Sequence, residues 1–515
     1  MEKLILEAEE RGNASILKVN RENLRKVCNK LFYRKGYPLR TVICTDERNL
    51  GKDFTLRYVF ENAINRKLII VETQTDGKFP SVAKSIPAAN WFEREIKDMF
   101  GLIPEGHPDL RPLFLFPENY PENFHPLRKD AELNVEKYEF QPRKYSYKEI
   151  EGEGIFNILV GPIHAGIIEP GHFRFSLIGE PIVNLEIRHG WKHKGIEKLF
   201  ESKTYQEGIK LAERVSGDNS FSHSLCFASA VENLSGTEIP ERAKLIRTLL
   251  AEIERITNHV SDFAFLFGDI GYTFGAQRGH ILKEKLMRLQ KEISGHRFLR
   301  GVNRIGGVNV DIDAERAKRI REVLKEVLKD FKNLVNLMIN SAQIMDRYET
   351  TGTVKEETIK ELSAVGVIAR ASNVKTDTRL DLPYLCYEEL PLKVTVKDTG
   401  DVLARALIRA EEVEISAELV GEILSKLEKN KEKSLSSEFK KPEPYSYAIS
   451  AVESPRGNLV YFVMASEDDK PFRVKVRDPS FMNWQTIQFA VLGDIVADFP
   501  LINKSMNLSY SGNDL

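Results

Sequence analysis

Cysteine is scarce in this chain, at four residues in 515, and no two of Cys28, Cys44, Cys226 and Cys386 stand in a C-x-x-C pair. An iron–sulfur cluster takes a set of thiolates, so the chain holds none of its own. Buried, reduced thiols of a cytoplasmic protein are the expectation instead. Long apolar runs are missing as well. None approaches the roughly 18 residues a spanning helix needs, and Met1-Glu2-Lys3-Leu4 opens no signal peptide, so contact with a membrane has to come through partners. Net charge is also lacking: the formal value of −1 gives nucleic acid no footing. What is present is 42% hydrophobic and 29% charged residues, enough for a large core, in a length that implies two or three domains.

From Met1 to about Asp130, apolar runs such as TVICT and KLIIVET lie between charged turns and alternate with helical stretches. This predicts a small α+β domain over residues 1–130. Within Trp91–Phe114, Glu95 and Asp98 fall at helical spacing with Glu93 beside them, and Gly101 is placed to end that helix with φ > 0. On spacing alone these carboxylates form an ordinary charged helix face. Residues 131–153 are polar, carry tyrosines and lack periodicity, which reads as a linker.

From residue 154 to 515 a second unit follows. It opens with alternating apolar residues and turns at Gly161-Pro162, Pro170-Gly171 and Gly179-Glu180, a pattern of paired strands. His193-x-Gly195-x-Glu197-Lys198 then starts a helical stretch. One long helix opens at Pro240-Glu241 with Leu245, Leu249, Ile253, Ile256 and Val260 on one face. A second carries Ile320, Val323, Leu324, Val327, Leu328, Phe331 and Leu334, and a third runs from about Val402 to Leu427. Such stripes predict a bundle. Beyond Asn430 a charged stretch reads as a mobile loop, followed by two strand-like runs, NLVYFVMAS and FRVKVRD.

Two stretches carry the chemistry: LAERVSGDNSFSHSLC at Leu211–Cys226 and RDPSFMNWQT at Arg477–Thr486. Each sets two small polar residues at i, i+3, Ser216 with Asn219 and Ser480 with Asn483. Four cysteines so placed would hold a soft transition metal, and hydroxyls and carboxamides are poor substitutes. A Ser/His/Asp hydrolase reading of Ser220, His223 and Asp218 fails because the spacing supplies neither a strained elbow nor an oxyanion hole.

Arg214-x-Ser216-Gly217-x-Asn219-Ser220-x-x-His223 resembles the first metal motif of nickel–iron hydrogenase large subunits, and Asp478-Pro479-Ser480-x-x-Asn483 resembles the second, with all four cysteines replaced. Glu453-Ser454-Pro455-Arg456-Gly457 resembles the E-x-PRG element whose arginine approaches the hydrogenase centre. FSHSLCFASAVENL and VKVRDPSFMNWQ are similar to the quinone-site, forty-nine-kilodalton subunit of respiratory complex I. Glu93-Arg94-Glu95-x-x-Asp98-x-Phe100-Gly101, with Gly106-His107-Pro108-Asp109-Leu110-Arg111, resembles the thirty-kilodalton subunit of that complex.

The resemblance implies an α+β domain fused to a mainly helical, hydrogenase-large-subunit-like domain with β elements at both ends. It implies a peripheral subunit on the cytoplasmic side of a complex I-like or energy-converting-hydrogenase-related membrane oxidoreductase, without a nickel–iron centre. Electrons would come from an iron–sulfur cluster in a partner small subunit, and membrane-embedded partners would translocate ions. An emptied cavity would be lined by Ser216, Gly217, Asp218, Asn219, Ser480 and Asn483, with Arg456 and Asp478 beside it and Glu169, Asp218 and His223 handling protons.

A quinone is the alternative acceptor, in a quinone-reducing NADH dehydrogenase. However, the tyrosine that complex I places one position after the first lost cysteine is Gly217 here, and its quinone-contacting histidine aligns near Pro170, with His164 or His172 close by. A non-catalytic coupling subunit is the third reading. Glu197 matches a hydrogenase glutamate associated with a structural divalent ion. The tail after the second motif has no histidine of the kind used for maturation cleavage, so none is expected.

Overall fold

The computed structural model describes residues 4–164 and 168–515; the part of GPIHAGIIEPGHF at 165–167 lies outside them. β1 (Glu7–Arg11), β2 (Ala14–Lys18), β3 (Leu39–Asp46), β4 (Phe54–Asn62) and β5 (Lys67–Thr75) form a sheet in the order β1-β2-β5-β4-β3. Within it only the β2–β5 pair is parallel. β3 and β4 are buried along their whole length, because each face of this sheet has its own cover. Val42, Tyr58 and Phe60 share a core with Phe92 of helix α1 (Asn90–Phe100). Ile43 and Val59 share another with Val460, Phe462 and Met464, about four hundred residues away in the chain. The first unit is thus packed into the second by a sheet face, and residues 131–153, with one short turn at Val135–Lys137, run between them.

Gly101 ends α1 at φ 69°. The carboxylates of this helix are not a solvated face, which corrects the expectation from spacing. Glu93, Glu95 and Asp98 are buried, and each has partners that offset its desolvation. Glu93 accepts from the Tyr58 hydroxyl at 2.9 Å and Val82 N at 2.8 Å. Asp98 accepts from the backbone N–H groups of Leu113, Phe114 and Leu115.

In the second unit β6 (Ile155–Val160), β7 (His172–Ile178) and β8 (Ile182–Arg188) form an antiparallel meander, turning at Gly179 between the last two. The helices follow: α2 (Ser220–Ser235), α3 (Glu241–Asp269), α4 (Thr273–Ser294), α5 (Ala314–Ile339) and α6 (Val402–Lys429). α3 runs through the middle, against α4 and α6. Its apolar stripe from Leu245 to Val260 is buried in the common core with that of α5.

Beyond Asn430 the chain is pinned rather than loose: Val308 N donates to Leu435 O and Ser437 N to Gly306 O, both at 2.9 Å. Only glycine permits this approach, since a Cβ on Gly307 would lie 2.0 Å from Leu435 O. The C-terminal sheet has three strands, not two. β9 (Tyr447–Ser454) pairs with β10 (Gly457–Ala465), which pairs with β11 (Pro471–Arg477). β9 reads YAISAVES, whose alanines and serines give little strand signal but let it lie close against α2. α7 (Pro479–Ala490) and the one-turn helix α8 (Tyr510–Asp514) complete the elements used below. Among the described residues no helix is long and apolar enough to cross a membrane.

Candidate functional site

Both motifs stand at helix beginnings, and the sequence makes them so. Ser216 precedes a single 3-10 turn, Gly217–Asn219, that runs into α2. Asp478 caps α7 by accepting from Ser480 N at 2.7 Å, with Pro479 at the first helical position. The two beginnings meet side by side, and Ser509 lies between them. Its backbone N donates to Ser480 Oγ at 2.9 Å, and its hydroxyl pairs with Ser216 Oγ at 2.9 Å.

Arg456 occupies the two-residue turn between β9 and β10. Its guanidinium reaches Asp218 in fork geometry, Nη1 to Oδ1 at 3.0 Å and Nη2 to Oδ2 at 2.6 Å, and also donates to Asn219 Oδ1 at 2.6 Å. Burial works to raise the Asp218 pKa, but Arg456 outweighs it and holds the carboxyl at about 2. Asn219 donates onward to Asn258 Oδ1 at 3.1 Å. His223 is buried, with Nε2 3.1 Å from Asp478 Oδ2 and Nδ1 2.9 Å from the Tyr461 hydroxyl. Burial acts to raise the Asp478 pKa, and the His223 hydrogen bond brings it below its ordinary value.

The structure therefore brings Ser216, Asp218, Asn219, His223, Arg456, Asp478 and Ser480 into one hydrogen-bonded group. Asn483 is turned elsewhere: its carboxamide pairs with Val365, accepting from N at 3.0 Å and donating to O at 3.1 Å. Gly217 and part of Asp218 face outward, the Asp218 side chain being 42% exposed. Glu169 accepts from Ser511 N at 2.9 Å and lies 3.8 Å from Lys192 Nζ. His164 meets Gly171 O at 2.7 Å.

A nickel–iron group does not fit these residues. Ser216, Asn219, Ser480 and Asn483 offer two hydroxyls and two carboxamides, poor donors for soft metals, and each is already engaged within the chain. Glu197 is likewise taken: Arg473 donates to one oxygen at 2.7 Å, and Val476 N and Lys475 approach the other at 2.9 and 3.2 Å. Both oxygens of Glu197 are thus taken by cations and a backbone N–H.

Sequence reasoning misses Ser509, Asp514 and Glu254. The first two lie in a tail without periodicity. Glu254, on α3, accepts from the free N–H groups of Phe221 and Ser222 at the start of α2, at 2.8 and 3.0 Å. Burial pushes its pKa up to about 7 against those bonds.

Comparison with known proteins places this geometry among relatives. The model for the 30 Kd subunit of respiratory-chain NADH dehydrogenase matches residues 17–137, and that for the 49 Kd subunit matches 269–444 and 429–514. The nickel-dependent hydrogenase model matches 194–268, the stretch that contains the first motif. Formate hydrogenlyase subunit 5 of Escherichia coli is 32% identical over 505 residues, covering 95% of this chain and 87% of that protein. The C/D-type subunit of an NADH-quinone oxidoreductase from Phocaeicola vulgatus is 30% identical over 441 residues, covering 82% and 84%. A chain from the structure of the membrane-bound sulfane sulfur reductase, an archaeal respiratory membrane complex, superposes with a TM-score of 0.64 at 26% identity, covering 70% of this chain and 99% of that one.

Proposed function

The chain belongs to the family that unites the fused thirty- and forty-nine-kilodalton subunits of respiratory complex I with hydrogenase large subunits, and from that membership we propose that it is the large peripheral subunit of a membrane oxidoreductase without a nickel–iron centre. It sits on the cytoplasmic side of the membrane. Electrons reach it from an iron–sulfur cluster in a partner small subunit docked near Ser216 and Ser480, and membrane-embedded partners translocate the ion. The observation that carries this reading is the first motif, where Ser216 and Asn219 stand in place of thiolates and are bonded to the chain itself. The acceptor is a small molecule such as a sulfur species or a quinone, met at the outward face of Gly217 and Asp218. The proton-handling groups are Asp218, His223 and Glu169.

The contact of Ser509 with both motifs favours one second reading, a coupling subunit that passes conformational change and no electrons.

The test is metal and turnover analysis of the intact purified complex: nickel and iron content, then reduction of quinones and of sulfur compounds by a low-potential donor. Stoichiometric nickel would overturn the proposal. Absence of nickel with turnover of one acceptor class names the acceptor, and absence of both selects the coupling reading.

A further inference from the structure

A groove of about 1370 Å³ lies between the two units, and none of its lining residues belongs to either motif. One wall is the face of the first sheet, at Ile16, Leu68 and Ile70, and another runs along β9, with Asn233 of α2 and Lys244 of α3 beside it. Tyr447 fastens these walls together, its ring taking the guanidinium of Arg11 at 4.9 Å and that of Arg57 at 4.6 Å.

All five residues from Tyr447 to Ala451 line the groove. Side chains of a strand alternate between its faces, so an unbroken run of lining residues means that β9 presents its backbone edge. β9 is the outer strand of its sheet and pairs only with β10. In an antiparallel pair, alternate residues turn N–H and C=O away from the neighbouring strand. Glu453 N does so and meets the Tyr384 hydroxyl at 3.0 Å. At steps of two along the strand, Ala451, Ile449 and Tyr447 turn the same way, and among the described residues no backbone group meets theirs on that side.

This edge is unguarded. β1, an outer strand of the first sheet, reads EAEER and is protected by its charges. From Tyr447 to Ala451, β9 carries no charge, no proline and no bulge. Charge in the groove is lopsided as well. Each of its five lining lysines and arginines is already paired with a carboxylate, whereas Glu238 and Glu443 are exposed and in no ion pair among the described residues.

We propose that the groove seats an extended segment of a partner subunit, which pairs with Tyr447–Ala451 and adds a fourth strand to the sheet of β9, β10 and β11. The volume exceeds the roughly 300–1,000 Å³ of a small-molecule site, and five residues of open edge run roughly 16 Å. The segment carries uncharged, strand-forming side chains along β9 and a lysine or arginine that meets Glu238 and Glu443. The inference goes beyond the proposed function and needs from it only that the chain is purified in a complex.

Hydrogen–deuterium exchange, resolved residue by residue, tests it in the purified intact complex and in the isolated full-length chain. The amides of Ile449 and Ala451 are expected to exchange at least about tenfold more slowly in the complex, with Ser450 and Val452, which face β10, little changed. Equal exchange in the two samples overturns the proposal. So does protection in the isolated chain that grows with its concentration, which assigns the groove to a second copy, and so does protection that dialysis removes without loss of a subunit, which assigns it to a small molecule. Ala451→Pro removes one outward N–H, a change an edge strand tolerates, and Glu443→Lys reverses the charge at the mouth. Once circular dichroism shows that each variant folds, both are expected to weaken the protection of Ile449 in the complex, and protection unchanged in either overturns the proposal. A variant that does not fold leaves the wild-type comparison to decide. Nickel in the complex would defeat the functional reading and leave this result to stand or fall separately.

Discussion

Lys475 on β11 lies 2.5 Å from Glu95 on α1, joining two residues 380 positions apart and both nearly inaccessible to water. Lys475 also stands 3.2 Å from Glu197, whose other oxygen takes Arg473, so two cations and two carboxylates close a buried cluster between the two units. Removing one member of a buried pair strands the rest, at a cost of about 3–5 kcal/mol. Lys475→Met is therefore expected to lower the free energy of unfolding by about 3 kcal/mol in urea titration. Glu95→Gln added to it is expected to cost much less than it does alone, because the pair is already broken. Additive losses would mean that the two residues are not coupled.

A pH dependence follows from Glu93 and Glu254, which burial raises from 4.5 to about 7. Between the unfolded value near 4.5 and the folded value near 7, the folded chain binds the extra proton. Their contribution is complete below pH ~4.5 and is lost as pH rises through about 7. Other buried carboxylates with lowered pKa, Glu412 and Glu197 among them, act in the opposite direction, so the informative quantity is a difference. Glu254→Gln is expected to remove a destabilisation of up to about 3 kcal/mol that wild type develops between pH ~4.5 and ~7. Urea midpoints across that window measure it, and parallel curves for the two proteins would exclude a titrating Glu254.

The parts of this molecule legible in sequence are those set by local pattern. The stripes of α3, α5 and α6 come from spacing within one helix, and the motif residues gather because each opens a helix next to the other. Glu93, Glu95 and Asp98 look like a solvated face because charged residues are ordinarily exposed, and nothing local reveals that Tyr58, Lys475 and the 113–115 backbone will meet them. Strand β9 escapes a reading of propensity because its small side chains suit close packing on α2 rather than strand formation. Ser509 is invisible for the same reason as Lys475: its partners, Ser216 and Ser480, are defined only by the tertiary fold.

Gly217 opens the turn that leads into α2, faces outward, and would carry a Cβ 3.7 Å from Arg300 Nη2, an ordinary contact. Gly217→Tyr is accordingly expected to fold and to assemble into the complex, with stability changed by no more than about 0.5–1 kcal/mol. Thermal melting of the chain and co-purification of the partner subunits check it. Loss of assembly would show that the position is packed against a partner rather than open at the rim.

Arg456 ties three parts of the site together, since its fork holds Asp218, one nitrogen also reaches Asn219, and Nε donates to Asn507 O at the head of the tail. Lysine carries the same charge but cannot supply the fork and the third bond at once. Arg456→Met leaves Asp218 without its cation, but the carboxylate is partly exposed and can recruit water, so the cost is expected to fall short of a fully buried pair, at about 2 kcal/mol. Arg456→Lys is expected to recover part of that. Urea titration of the two variants measures both losses. Equal losses for lysine and methionine would mean that the charge without the fork holds nothing.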